Sequence, residues 1–169
     1  MTVENQMGGG APPPKVLVLG VGNLLLKDDG VGVHLINALR ETPFPDNVQL
    51  IDAGTVSHQL IPLFHETDYL ILVDAVSAND VPGSIYRFSP DDLNFFPTEY
   101  KWSLHEMNLI DILQMAEMTG AKPDTIIIGV QPKDASSWSL ELSDEVAAVL
   151  PRVRELVVEE LKRINAIPS

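Results

Sequence analysis

Four short apolar runs recur along the chain, each separated from the next by a polar turn and a stretch with helical spacing, and this alternation restricts the fold more than any other feature. VLVLG (residues 16–20) is continuous rather than alternating, as a strand buried on both faces requires, TIIIGV (residues 125–130) reads as another buried strand and YLILVDAV (residues 69–76) as the most hydrophobic one, and VQLIDAG (Val48–Gly54) makes the second strand. YLILVDAV is the most hydrophobic and is expected at the centre of a sheet. SIYRF (residues 84–88), after Asn79-Asp80 and Pro82-Gly83, alternates better and reads as a half-exposed edge strand. Between the runs, Val31, Leu35, Ile36 and Leu39 fall on one helical face, and a helix through Leu60, Ile61 and Phe64 can be capped by Ser57. Ser103 caps a further helix with Leu104, Met107, Ile110 and Leu113 on one face, stopped by Gly120 and Pro123. The last helix opens near Ser143 and repeats Val146, Val149, Leu150, Val153, Leu156, Val157, Leu161 and Ile164, with Pro151 kinking it or starting it afresh. Alternating strands and helices predict a mainly parallel sheet covered on both faces, whose ligands gather beyond the carboxyl ends of the strands.

Residues 1–15 carry a glycine run and a proline run and read as a flexible N-terminal tail, leaving residues 16–169 as a single domain. No apolar run reaches the roughly 18 to 20 residues a membrane span needs, and no export signal is visible, so a cytoplasmic protein is expected. With 24 acidic residues against 11 basic ones, the formal net charge of −13 opposes phosphate backbones and anionic lipid, so neither nucleic acid nor membrane is an expected partner. The absence of cysteine removes disulfides, thiolate metal sites and cysteine nucleophiles together, so any metal must sit on oxygen and imidazole.

Several motifs begin and then fail. Gly20-Val21-Gly22 follows a strand as a dinucleotide loop does, but Leu25 stands where the third glycine belongs, and Asp28 and Asp29 would repel a phosphate; no nucleotide is expected. The two glycines instead suit a tight, closely approaching backbone. His65-Glu66 and His105-Glu106 open like a zinc-protease helix, yet Tyr69 and Leu109 occupy the second histidine positions. Neither a Gly-Lys-Ser/Thr phosphate loop nor a G-x-S-x-G nucleophile elbow occurs.

A few acids and one histidine remain at places such a fold would focus. Asp29 follows the first strand, as a helix N-cap or as a ligand; Asp28 beside it is a solvated or capping acid. Asp74 ends the central run, where a carboxylate must be paired, hydrogen-bonded or metal-bound to offset its burial. Asp52 ends the second run, as a turn former or a functional group. His105 opens a helix behind an aromatic cluster of Phe95, Phe96, Tyr100 and Trp102. If the strand order unites their loops, Asp29, Asp74 and His105 form a set suited to a borderline divalent ion such as nickel, zinc or iron. His34 and His58 are supporting or surface groups, His65 a helix-end residue, and Met107, Met115 and Met118 apolar filler.

These residues also carry a family resemblance. VLVLGVGNLLLKDDGVGVHLINAL (residues 16–39), IDAGT (51–55), LILVDAV (70–76), PGSIYRF (82–88), SLHEMNLIDIL (103–113) and IIIGVQP (126–132) closely resemble, in order, the maturation endopeptidases of nickel-iron hydrogenases. The resemblance implies a three-layer α/β/α sandwich: one twisted five-stranded sheet, mostly parallel with one antiparallel strand, with helices on both faces. It implies an endopeptidase that removes a short C-terminal peptide from the hydrogenase large-subunit precursor after nickel insertion. The nickel-contacting positions fall on Asp29, Asp74 and His105, with Asp29 one methylene shorter than the glutamate of some members. The nickel is expected to arrive with the substrate, where it polarises the scissile carbonyl, activates water, or serves docking while a carboxylate such as Asp52 assists the water. A nickel-dependent module that binds the precursor without cutting it is the alternative. The aromatic cluster would grip the precursor or cover the sheet edge.

Overall fold

The structure, a computed structural model, describes residues 10–55, 58–95 and 104–169; residues 94–95 and 104–108 are described by their helical backbone alone. Five strands form one sheet: β1 (Val16–Val21), β2 (Val48–Gly54), β3 (Tyr69–Ala75), β4 (Ile85–Phe88) and β5 (Asp124–Val130). Their order is β2-β1-β3-β5-β4, with β3 in the centre. β1 lies parallel to β2 and β3, and β3 parallel to β5, while β4 closes one edge antiparallel to β5. The expected sheet is therefore present, its alternating run at an edge and its most apolar run in the middle.

Both faces of the inner strands are buried, which explains why their sequences do not alternate. Val16, Val18, Ile71, Val73, Ile126 and Ile128 point to the side covered by α1 (Val31–Arg40) and α4 (Asp144–Arg163). Leu17, Leu19, Leu70, Leu72 and Ile127 point to the other side, under α2 (Ile61–Phe64) and α3 (Leu104–Met118). All four predicted residues of α1 are buried.

Several expectations change. Among the described side chains of α3 the buried stripe is Leu109, Ile112 and Ala116 with the expected Leu113 beside it, whereas the expected Ile110 is half-buried; the side chains of Leu104 and Met107 lie outside the described residues. Spacing by threes drifts off a helix of 3.6 residues per turn, so the stripe 109, 112, 113, 116 wins. Met115 and Met118 on the same helix are exposed and fill no core. Of the two readings of Pro151, the fresh start is excluded: α4 continues through it, with Val146, Val153, Val157 and Leu161 buried on either side of the single backbone bond a proline removes. Within the predicted loop 89–102, Pro90–Phe95 winds into a 3-10 helix; the ring of Phe95, residues Phe96, Tyr100 and Trp102, and the expected caps Ser57 and Ser103 lie outside the described residues. Among the described residues no helix is long and apolar enough to cross a membrane.

The strand order fixes where a ligand can enter. After β1 the chain turns to β2 on one side, and after β3 it proceeds toward β4 and β5 on the other. Connections that diverge from two neighbouring parallel strands leave a crevice at their carboxyl ends. Asp29 follows β1 and Asp74 ends β3, so topology brings both acids to that crevice.

Candidate functional site

β1 runs into a compact turn. The Gly22 N–H donates to the Gly54 carbonyl at 2.9 Å, the Leu25 N–H to Asn23 Oδ1 at 2.9 Å, and the Leu26 N–H to the Asn23 carbonyl at 3.0 Å. A 3-10 turn, Lys27–Gly30, then leads directly into α1. Asp29 is buried in that turn, and its Oδ2 accepts the N–H of Asn23 at 2.9 Å. The N-cap position of α1 is Gly30, with no side-chain cap, so the capping role expected of Asp29 is not the one it has.

Asp74 is also buried, and its Oδ1 accepts the Ala75 N–H at 2.8 Å. Gly22 separates the two acids. A Cβ built there would stand 1.7 Å from the Asp29 carbonyl oxygen and 3.7 Å from Asp74 Oδ1, and φ at Gly22 is +130°. Any side chain at this position would push the turn off the strand end. Gly32 performs the close helix-to-strand contact that a third loop glycine would otherwise allow: its Cβ would lie 2.3 Å from the Val73 carbonyl oxygen and 2.4 Å from that of Val21. Its place in the Gly30-Val31-Gly32 spacing was the available signal.

Asp28 departs furthest from expectation. It is neither solvated nor a cap but fully buried. Its Oδ2 accepts the N–H of Lys133 at 2.9 Å, the N–H of Asp134 at 3.0 Å and the Ser143 hydroxyl at 2.8 Å, while Oδ1 accepts the Ser143 N–H at 2.7 Å. One carboxylate thus fastens residues 133–143 and the start of α4 to the turn that carries Asp29. Asp134 organises that segment in turn, accepting the N–H groups of Ser136 and Ser137, both at 3.0 Å. Bonds from Ser137 and Ser136 hold its carboxyl far below the usual carboxylate range.

The remaining expected groups are less concentrated. Asp52 is exposed and its Oδ1 accepts the Gly54 N–H at 2.9 Å, an Asx-type turn at the carboxyl end of β2 beside β1. His105 lies in the first turn of α3, and its side chain is outside the described set. α3 ends shortly before β5 begins and packs back along the sheet, so its first turn is directed to the carboxyl ends of the strands. Among the described residues no three His, Asp or Glu side chains stand close enough to hold a metal ion. His34, in α1, is half-buried, His58 is exposed, and His65 at the end of α2 meets Thr119 Oγ1 at 3.0 Å through Nε2. A separate groove of about 480 Å³ opens at the amino end of β5, lined by Leu93, Ile110, Leu113 and Thr125 among others.

Comparison with known proteins gives a consistent result. The family model for hydrogenase maturation protease matches residues 33–160. The hydrogenase expression/formation protein HupD of Rhizobium leguminosarum bv. viciae is 34% identical over 164 residues, covering 96% of this chain and 81% of that protein. The hydrogenase 2 maturation protease of Escherichia coli (strain K12) is 33% identical over 159 residues, covering 91% of this chain and 96% of its own length. The solved structure of the hydrogenase maturating endopeptidase HybD from E. coli superposes with a TM-score of 0.80 at 31% identity, covering 88% of this chain and 93% of that one.

Proposed function

This chain belongs to the hydrogenase maturation protease family, and from that premise we propose that it removes a short C-terminal peptide from the nickel-loaded precursor of a nickel-iron hydrogenase large subunit. Water adds across one peptide bond of the precursor, leaving a new carboxylate on the large subunit and a free amine on the released peptide. Nickel belongs to the substrate, and Asp29, Asp74 and His105 of this chain contact it.

The observation that carries this reading is that two buried acids, Asp29 and Asp74, belong to the segments that end β1 and β3, with the Asp29 backbone and Asp74 Oδ1 both close to Gly22. Burying a carboxylate is unfavourable by several kcal/mol, and a divalent cation arriving with the substrate would offset that cost for both. Oxygen and imidazole donors suit nickel when soft thiolate ligands are supplied by the other partner. Such contacts distinguish a loaded precursor from an empty one, and the ion also draws electron density from a nearby carbonyl or water. Asp52 stands at the next strand end, where it would assist the attacking water.

Variants at two of the three positions test this. Asp74→Asn and His105→Ala are expected to melt as the parent does while leaving the loaded precursor at full mass in intact-mass spectrometry. Normal processing by both variants would contradict these roles, and tight binding of loaded precursor by the parent without any loss of mass would favour a binding module instead.

A further inference from the structure

Beside the acid crevice the surface is apolar without any folding reason to be so. Leu26 and Ser139 form a parallel bridge in which the Lys27 N–H donates to the Ser139 carbonyl and the Ser139 N–H to the Leu25 carbonyl, each at 3.0 Å. That register sets Leu25 beside Trp138, and Leu140 follows directly after the bridge. All three are exposed: Trp138 by 80%, Leu140 by 60% and Leu25 by 47%. A large aromatic ring displayed at this exposure adds little to the core, and contiguous exposed apolar groups mark contact surfaces.

The segment bearing Trp138 and Leu140 is held firmly. Besides the four bonds to the Asp28 carboxylate, the Asp28 N–H donates to the Asp134 carbonyl at 3.1 Å, and Lys27 Nζ stands 3.7 Å from Asp134 Oδ2. A surface ordered before binding loses little conformational entropy when it is covered. It is also continuous with the crevice: Leu25 lies on the turn between Gly22 and Asp29.

We propose that Leu25, Trp138 and Leu140 form a docking surface for an apolar segment of the precursor polypeptide next to the scissile bond. This rests on the proteolytic function above and adds the feature of the substrate that the enzyme grips besides its nickel. A polypeptide whose metal lies against Asp29 and Asp74 passes the Leu25 turn, and apolar side chains there are shielded from water by the tryptophan ring.

The test uses the full chain with the nickel-loaded large-subunit precursor of the same organism. Affinity for the loaded precursor is compared within one Asp74→Asn background, where cleavage does not intervene and the loss of one nickel contact is common to every variant, and KM in the otherwise unaltered enzyme. Trp138→Ser and Leu140→Ser are expected to weaken binding and raise KM by about tenfold each. Trp138→Phe recovers most of that loss, and Met118→Ser, exposed on α3, changes neither quantity. Because the substituted side chains are exposed, melting temperatures stay at the parent value. Unchanged affinity and KM in Trp138→Ser and Leu140→Ser overturn the proposal. So does sedimentation showing that Trp138→Ser only dissociates a dimer of this chain. Cleavage and affinity fail separately: a parent that binds precursor through Trp138 but never cuts it removes the proteolytic reading and leaves the docking surface standing.

Discussion

Asp28 and Asp29 are neighbours in sequence and opposite in task. Asp29 accepts the Asn23 N–H within its own turn, whereas Asp28 accepts four hydrogen bonds and faces the 133–143 segment. The sequence shows two adjacent acids after a strand, and nothing local tells them apart. The partners of Asp28 lie 105 to 115 residues away, so only the folded chain reveals them. Asp74 was more legible, because a carboxylate closing an apolar run must have a reason to be buried. Asn at position 28 presents an amide donor to groups that are themselves donors. Asp28→Asn is therefore expected to lower unfolding free energy by about 2 to 4 kcal/mol in urea titration, and to slow processing by loosening the Asp29 turn. A change below about 0.5 kcal/mol would show that the four bonds matter little.

At the scale of elements, the inner strands were readable because a strand buried on both faces writes a continuous apolar run. The inward stripe of α3 was not. That helix offers apolar residues at 104, 107, 109, 110, 112 and 113, and only its packing selects among them. The edge strand β4 is joined to α4 by a charged cluster that sequence spacing could not foresee. Glu160, on the buried side of α4, accepts from Arg87 Nε of β4 and from Arg163 Nε at 2.9 Å. Burial pushes the Glu160 carboxyl up, but the two guanidinium groups outweigh it and leave the group below its ordinary value of 4.5. A carboxyl lowered on folding contributes stability that is fully present above 4.5 and is lost as pH falls through the lowered value. Glu160→Gln is expected to cost about 1 to 2 kcal/mol at neutral pH, and the gap from the parent should narrow steadily in acid. Thermal melts across a pH series measure this, and a gap independent of pH would contradict it.

For the whole molecule, the order β2-β1-β3-β5-β4 matters more than any single contact, since it alone brings the end of β1 and the end of β3 to one crevice. The net charge of −13 sets the field in which a substrate approaches, and on the proposed reading that field favours a substrate carrying a cation. On the proposed reading, a loaded precursor is told from an empty one by the cation it brings to Asp29 and Asp74. The most direct measurement is the intact mass of the large-subunit precursor, nickel-loaded and nickel-free, before and after incubation with this protein. Loss of a C-terminal peptide from the loaded form alone is the predicted result. Equal cleavage of both forms would contradict nickel gating, and full mass retained by both would contradict proteolysis itself.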